Sequence, residues 1–308
     1  MNWDKLGLIF CAAKENKQMV SGARAPVVLH IENDLFRIYF ASYDQDGRGR
    51  IFSLLIDIKK PRQILSIETK PIIDYGELGY FDDNGIIPSW IIKTNKKLLL
   101  YTIGFSLKNK VIFDAASGVA ISENAGKSFT KIKGPILDRG IDDPCFAASP
   151  CVLFDDGMYK MWFVSCDKWE LLSNGEYRHY YNIKYKESDD GIVWSVRSKI
   201  CIDYKNSFEY AISRPSVIKA GKNDYRMWYS FRGQKNIQTY RIGYATSSDG
   251  INWIRKDEEM KAFDISNDGW DSEMICYPYV INHNSEYYMF YNGNGYGKTG
   301  FGLAKLKF

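Results

Sequence analysis

Short runs of apolar and aromatic residues alternate with polar turns along this chain, and the alternation recurs. Pro26, Pro88, Pro150, Pro215 and Pro278 are spaced by 62, 62, 65 and 63 residues. Each proline opens a short apolar stretch. A polar turn and an aromatic strand candidate follow: FRIYF at 36–40, LLLY at 98–101, YKMWF at 159–163, YRMWY at 225–229 and YYMFY at 287–291. Three units continue through a serine, a turn with glycine and an aromatic: Ser122 to Phe129, Ser188 to Trp194 and Ser247 to Trp253. The Asp-Gly pairs in the last two mark tight hairpins, because both turn positions accept positive φ. No sustained 3.6-residue apolar period competes with this pattern.

A period held over a whole chain has to be explained before any single motif. Each unit predicts four short strands. The fifth unit is short, with 31 residues from Pro278 to Phe308, and the 25 residues before Pro26 make up the difference. The strand candidate at residues 6–10 therefore supplies the missing outer strand. The prediction is an all-β, five-bladed β-propeller forming a single domain over 1–308, with the N-terminal strand closing the last blade.

Composition narrows the function. Aromatic residues make up 15% and charged residues 25%, which is globular and not disordered. A net charge of +4 without a Lys/Arg block gives no electrostatic support for a nucleic-acid or membrane-surface partner. The first residues, MNWDKLGLIFCAAKENK, lack the pattern of a signal peptide, and no apolar run is long enough to span a bilayer. The six cysteines form no C-x-x-C pair and read as buried free thiols in a reducing cytoplasm. The three histidines have no ligand spacing, so neither a metal nor a cofactor is expected. The G-x-G-x-x-G match at 295–300 precedes a strand and not a helix, so it fails as a dinucleotide site.

In a propeller, residues just before the inner strands converge on one mouth of the central channel. Those positions hold Arg24 in blade one and Asp82 and Asp83 in blade two. They hold Asp142, Asp143 and Ser149 in blade three, Glu209 and Arg214 in blade four, and Asp271, Glu273 and Tyr277 in blade five. Turn chemistry alone enriches Asp at such places, but it accounts less well for Glu209 and Glu273. Arg24 and Arg214 sit among apolar strand residues, where a lone guanidinium is costly, so both are expected to pair with these acids. Arg232, His179 and Trp90 are within reach of the same mouth. Three arginines there suit an anionic sugar or a phosphate group.

The repeat grammar and the inner-strand acids resemble the superfamily of glycoside hydrolase families 43, 32 and 62, over the whole chain. The runs Asp82 to Trp90, Ser213 to Pro215 and Trp270 to Pro278 are also similar to a bacterial set of propellers associated with surface-polysaccharide synthesis. The resemblance implies a base Asp, an orienting Asp and an acid Glu on the first, third and fourth inner strands. Here the first blade carries Arg24. A shift by one blade restores the spacing with Asp82 or Asp83 as base or nucleophile, Glu209 as orienting group and Glu273 as acid. Burial among Met274, Ile275 and Cys276 is expected to keep Glu273 protonated. Arg24, Asp142, Asp143, Arg214, Arg232, Trp90, His179, Tyr277 and Asp271 are then the candidate substrate-binding residues. The function expected is that of a carbohydrate-active enzyme acting on a glycosidic bond through paired carboxylates. The alternatives are a glycosyl-transferring enzyme of polysaccharide biosynthesis and a non-catalytic sugar-binding propeller. The partner expected is a carbohydrate or sugar-containing small molecule.

Overall fold

The structure is a computed structural model that describes residues 1–94, 97–233 and 238–307. Among the described residues its strands fall into five antiparallel four-stranded groups, three of which are joined into one sheet by single parallel bridges at Ala116↔Ala147 and Tyr181↔Ala211. The inner strands are Ser21–Glu32, Ile86–Lys93, Phe146–Asp155, Ala211–Gly221 and Cys276–His283, and each contains one of the periodic prolines. The N-terminal strand Asn2–Phe10 pairs antiparallel with the last strand, Phe301–Lys307, from Asn2↔Lys307 to Phe10↔Phe301, with register shifts between Lys5 and Gly7 and between Leu8 and Phe10. The ring therefore closes as the short fifth unit requires. Among the described residues no helix is long and apolar enough to cross a membrane.

Adjacent blades are clasped by a repeated contact. Aromatic side chains of the second strands donate to a turn carbonyl of the next blade: Tyr39 Oη to Gly126 O at 2.7 Å, Tyr101 Oη to Gly191 O at 3.0 Å and Trp162 Nε1 to Gly250 O at 2.7 Å. The carbonyl is held in place because Ser188 and Ser247 accept the Gly191 and Gly250 N–H groups, at 2.9 and 2.8 Å. Both glycines have φ near +75°, which a side chain would strain. Trp253 folds back onto its own hairpin through Gly250 O at 2.9 Å.

The inner strands share a bulge at the proline. Register shifts fall there in all five pairings with the second strands. In four blades the residue before the proline has positive φ: Ala25 at 55°, Ser149 at 60°, Arg214 at 54° and Tyr277 at 57°. Left-handed backbone at non-glycine residues is costly and collects at functional sites. Bulges re-aim side chains in the same kind of place.

Candidate active site at the central mouth

The bulges deliver their residues to one cavity of about 120 Å³ at the centre of the ring. The residue before the proline in blades two to five, namely Ile87, Ser149, Arg214 and Tyr277, lines it. The rest of the wall is aromatic and aliphatic, with Phe105, Phe113, Phe146, His179, Tyr181 and Tyr240 among the lining residues. No carboxylate lines it among the described residues.

Arg214 dominates the electrostatics. It is 5% exposed, and its one hydrogen bond among the described residues runs from Nη1 to the Pro88 carbonyl at 3.0 Å. Burial lowers its pKa to about 10, and it remains charged at neutral pH. The Tyr277 ring lies 5.5 Å from its guanidinium carbon. Arg232 donates to Tyr296 Oη at 2.8 Å and lies over Tyr240. Arg24 donates to the carbonyls of Gly295 and Tyr296 at 2.6 and 3.1 Å and lies over Tyr43. The expected pairing of Arg24 and Arg214 with acids is corrected: among the described residues carbonyls and ring faces take that place. A ring face offers a cation a favourable quadrupole without a counter-charge.

The leader acids have other partners. Asp82 binds Lys131 at 2.6 Å, Glu209 binds Arg255 at 2.7 Å and Asp271 binds Lys5 at 2.7 Å, each cation lying on the outer strand of the same blade. Asp143 lies 3.6 and 3.4 Å from Lys184 and Lys186 on the third strand of its blade. Asp142 binds Arg197 and the Ser198 N–H. Four blades thus repeat one device, in which a carboxylate leading into the inner strand is tied to a cation at the blade's outer side. Asp83 accepts the Gly79 N–H at 2.9 Å and has no cation partner among the described residues.

Glu273 is exposed, contrary to the burial expected from its apolar neighbours. Its N–H is held by Asn294 Oδ1 at 2.8 Å, and its carbonyl accepts from Thr239 Oγ1 at 2.7 Å. These contacts turn Met274 inward and leave the Glu273 carboxyl free of partners among the described residues. Glu273 is not among the residues that line the cavity. Trp90 packs on Tyr279 at 4.3 Å between ring centres, inside the core and outside the cavity lining.

His179 does line the cavity. It stacks on Tyr181 at 5.0 Å, and its Nδ1 has no partner among the described residues. Burial, with a smaller effect of Arg232, lowers its pKa to about 4, so it is neutral at physiological pH. Ser149 Oγ is likewise buried without a partner among them. The cavity thus gathers a buried cation, a neutral imidazole and an orphaned hydroxyl. Sequence reasoning misses Phe113, Phe146, Tyr181 and Tyr240. They carry no special spacing, and only the convergence of separate blades brings them together.

A family model described as β-1,4-mannooligosaccharide phosphorylase matches residues 214–307. Two Mycobacterium tuberculosis proteins, "Uncharacterized protein MT1551" of strain CDC 1551 and "Uncharacterized protein Rv1502" of strain H37Rv, are each 40% identical over 311 residues, covering 100% of both chains. Solved structures share the fold at low identity. A glycosyl hydrolase from Bacteroides ovatus has a TM-score of 0.74 at 12% identity, covering 99% of this chain and 94% of that one. A thermostable family-43 glycoside hydrolase has 0.66 at 18%, covering 96% and 92%. An α-L-arabinofuranosidase from Lactobacillus brevis has 0.68 at 10%, covering 93% and 91%. The chain belongs to the family of the two mycobacterial proteins and is built on the propeller of the family-43 glycoside hydrolases.

Proposed function

We propose that the protein is a carbohydrate-active, glycosidase-like enzyme that acts at a glycosidic bond with a phosphate group in its central mouth, as a glycoside phosphorylase does. The observation that carries this reading is Arg214, a buried guanidinium with one carbonyl partner and no carboxylate among the described residues. A buried charge without a counter-charge costs several kcal/mol, of the order that a bound oxyanion offsets. Guanidinium is also well shaped for a phosphate. The match to the phosphorylase model begins at this same residue.

Hydrolysis by a carboxylate pair needs two acids at the scissile bond. Asp82 and Glu209 are committed to Lys131 and Arg255. Phosphorolysis needs one. A phosphate oxygen attacks the anomeric carbon, the glycosidic C–O bond breaks, and the proton that the phosphate gives up is relayed through Glu273 to the departing oxygen. The products are a sugar 1-phosphate and a free sugar hydroxyl. The reverse reaction is glycosyl transfer from a sugar 1-phosphate. The second reading is hydrolysis by Asp83 and Glu273, favoured by the freedom of both from any cation among the described residues.

The test is incubation with manno- and xylo-oligosaccharides, with and without phosphate, scored for sugar 1-phosphate. Phosphate-dependent formation that Glu273→Gln abolishes supports the proposal. Reducing-sugar release indifferent to phosphate transfers the assignment to hydrolysis. Glycan binding without turnover in either direction assigns a binding propeller.

A further inference from the structure

The glycine-rich segment 293–300, GNGYGKTG, connects the second and third strands of blade five. An inner strand runs away from the mouth and the second strand returns to it, so this connection lies on the mouth face. Its backbone is left-handed at three successive residues: φ is 60° at Gly295, 59° at Tyr296 and 88° at Gly297. Glycine takes such values freely, and a tyrosine does not. The chain sets glycine on both sides and keeps a bulky ring at the strained position between them. A strained residue persists only where its surroundings over-determine it, and such residues gather at functional sites.

Both ends of Tyr296 are fixed. Arg24 of blade one donates to the carbonyls of Gly295 and Tyr296 at 2.6 and 3.1 Å, and Arg232 of blade four donates to Tyr296 Oη at 2.8 Å. The Tyr296 O–H itself has no acceptor among the described residues. The ring lies 6.3 Å from Tyr277 between centres, with 25° between the planes, and edge-on to Tyr240 at 6.0 Å. Tyr277 and Tyr240 line the central cavity, so Tyr296 stands one ring outside it. Tyr240 is 1% exposed and Tyr296 is 36% exposed. A ring needed only for packing would be covered like Tyr240, whereas this one keeps open surface beside the mouth.

We infer that Tyr296 is a specificity-determining residue: its ring is the platform on which a pyranose unit of the substrate rests beside the cavity, with a sugar hydroxyl accepting the free phenol hydrogen. This rests on the carbohydrate reading above and adds how the sugar is held. A pyranose has a face of C–H groups and a rim of hydroxyls, and a tyrosine answers it with an apolar body and a polar tip. Binding loses least when the receiving group is ordered beforehand, and Tyr296 is ordered at its backbone by Arg24 and at its hydroxyl by Arg232. The anion and the sugar then have separate holders, Arg214 and Tyr296.

The test uses β-1,4-mannobiose and xylobiose as probes, in the presence of phosphate. KM and kcat are read from sugar 1-phosphate release, and the affinity for inorganic phosphate from calorimetry without sugar. The variants are Tyr296→Asn and Tyr296→Phe; asparagine accepts left-handed backbone, so it removes the ring without adding strain. In Tyr296→Asn the sugar KM rises about tenfold, the scale of a lost ring contact, while kcat changes less than about threefold. Its phosphate affinity stays within about twofold of wild type, since Arg214 is untouched. Tyr296→Phe raises KM only about threefold, for one lost hydrogen bond. An unchanged KM in Tyr296→Asn overturns the inference. A KM rise matched by an equal loss of phosphate affinity assigns Tyr296 to holding the mouth in shape, and overturns it too. Release of reducing sugar indifferent to phosphate, with the same KM rise, removes the phosphate reading and upholds the platform. Where the probes bind without turnover the comparison is of Kd, and equal Kd in wild type and Tyr296→Asn overturns the inference. A wild type that neither binds nor turns over either probe removes the carbohydrate reading and this inference with it.

Discussion

Glu209 separates a structural from a catalytic role for the leader acids. Its side chain is 1% exposed. It accepts two bonds from Arg255, at 2.7 and 2.9 Å, and the Lys205 N–H at 2.7 Å. In Glu209→Gln the amide still fills the space and accepts one or two of these bonds, but the charge is gone. Removing one partner of a buried ion pair costs about 3–5 kcal/mol, because the other charge is left behind. Arg255 keeps Asp257 at 2.8 Å, which puts the cost at the lower end, about 3 kcal/mol. For a chain of 308 residues that lowers Tm by roughly 5 °C. The assay is a reversible calorimetric melt beside turnover measured well below the transition. Activity should survive in the folded fraction. A Tm within about 1 °C of wild type together with lost turnover would refute the structural role of the Glu209–Arg255 pair and make Glu209 a group that acts on substrate.

Arg214→Met removes a buried charge, so the unliganded protein should melt no lower than wild type, and up to about 6 °C higher. The same variant should lose any stabilisation by phosphate; phosphate protection that persists would place the anion elsewhere. His179 has a folded pKa of about 4 against an ordinary 6.5, so the unfolded chain binds the extra proton between those values. Its contribution to stability is complete above about pH 6.5 and is lost as pH falls towards 4; His179→Gln should flatten stability over that window, and an unchanged slope would contradict its burial as a neutral ring. Deleting residues 1–12 uncovers the edge of Phe301–Lys307 and removes buried Trp3 and the Lys5–Asp271 pair, so the truncated chain should melt sharply lower or aggregate.

The architecture is legible in the chain because a repeat reports itself. Five prolines at near-constant spacing mark five inner strands, and the missing length of the last unit points to the N-terminal strand. The partners of the leader acids are harder to read. Asp82 and Lys131 are 49 residues apart, and Glu209 and Arg255 are 46 apart. That recurring offset is a signal in the chain, the distance from a blade's entrance to its outer strand. In blade five the pair wraps round to Lys5, 266 residues away, which hides it. Arg24 and Arg214 escape sequence reasoning for a different reason. Counter-charge is not the only remedy for a buried guanidinium: Tyr43 and Tyr277 supply ring faces and the backbone supplies carbonyls. The hydrophobicity of its neighbours argues for a buried Glu273, but in a bulged leader segment adjacent residues point to different surroundings.

Closure through Asn2–Phe10 has a consequence in time. The strand is synthesised well before its partner, with blades one to four lying between them in the chain. At about 5–20 residues per second, the intervening chain takes roughly 15–60 s to make. For that interval an apolar segment carrying Trp3, Leu8 and Ile9 has no native partner, while blades one to four are able to assemble from contacts within their own spans. The final blade then forms in one step from the two ends of the chain. The docking of these two strands therefore has to wait for synthesis to pass residue 301, and a nascent chain stalled short of that point is a propeller with an open seam and a loose strand that can pair with another copy.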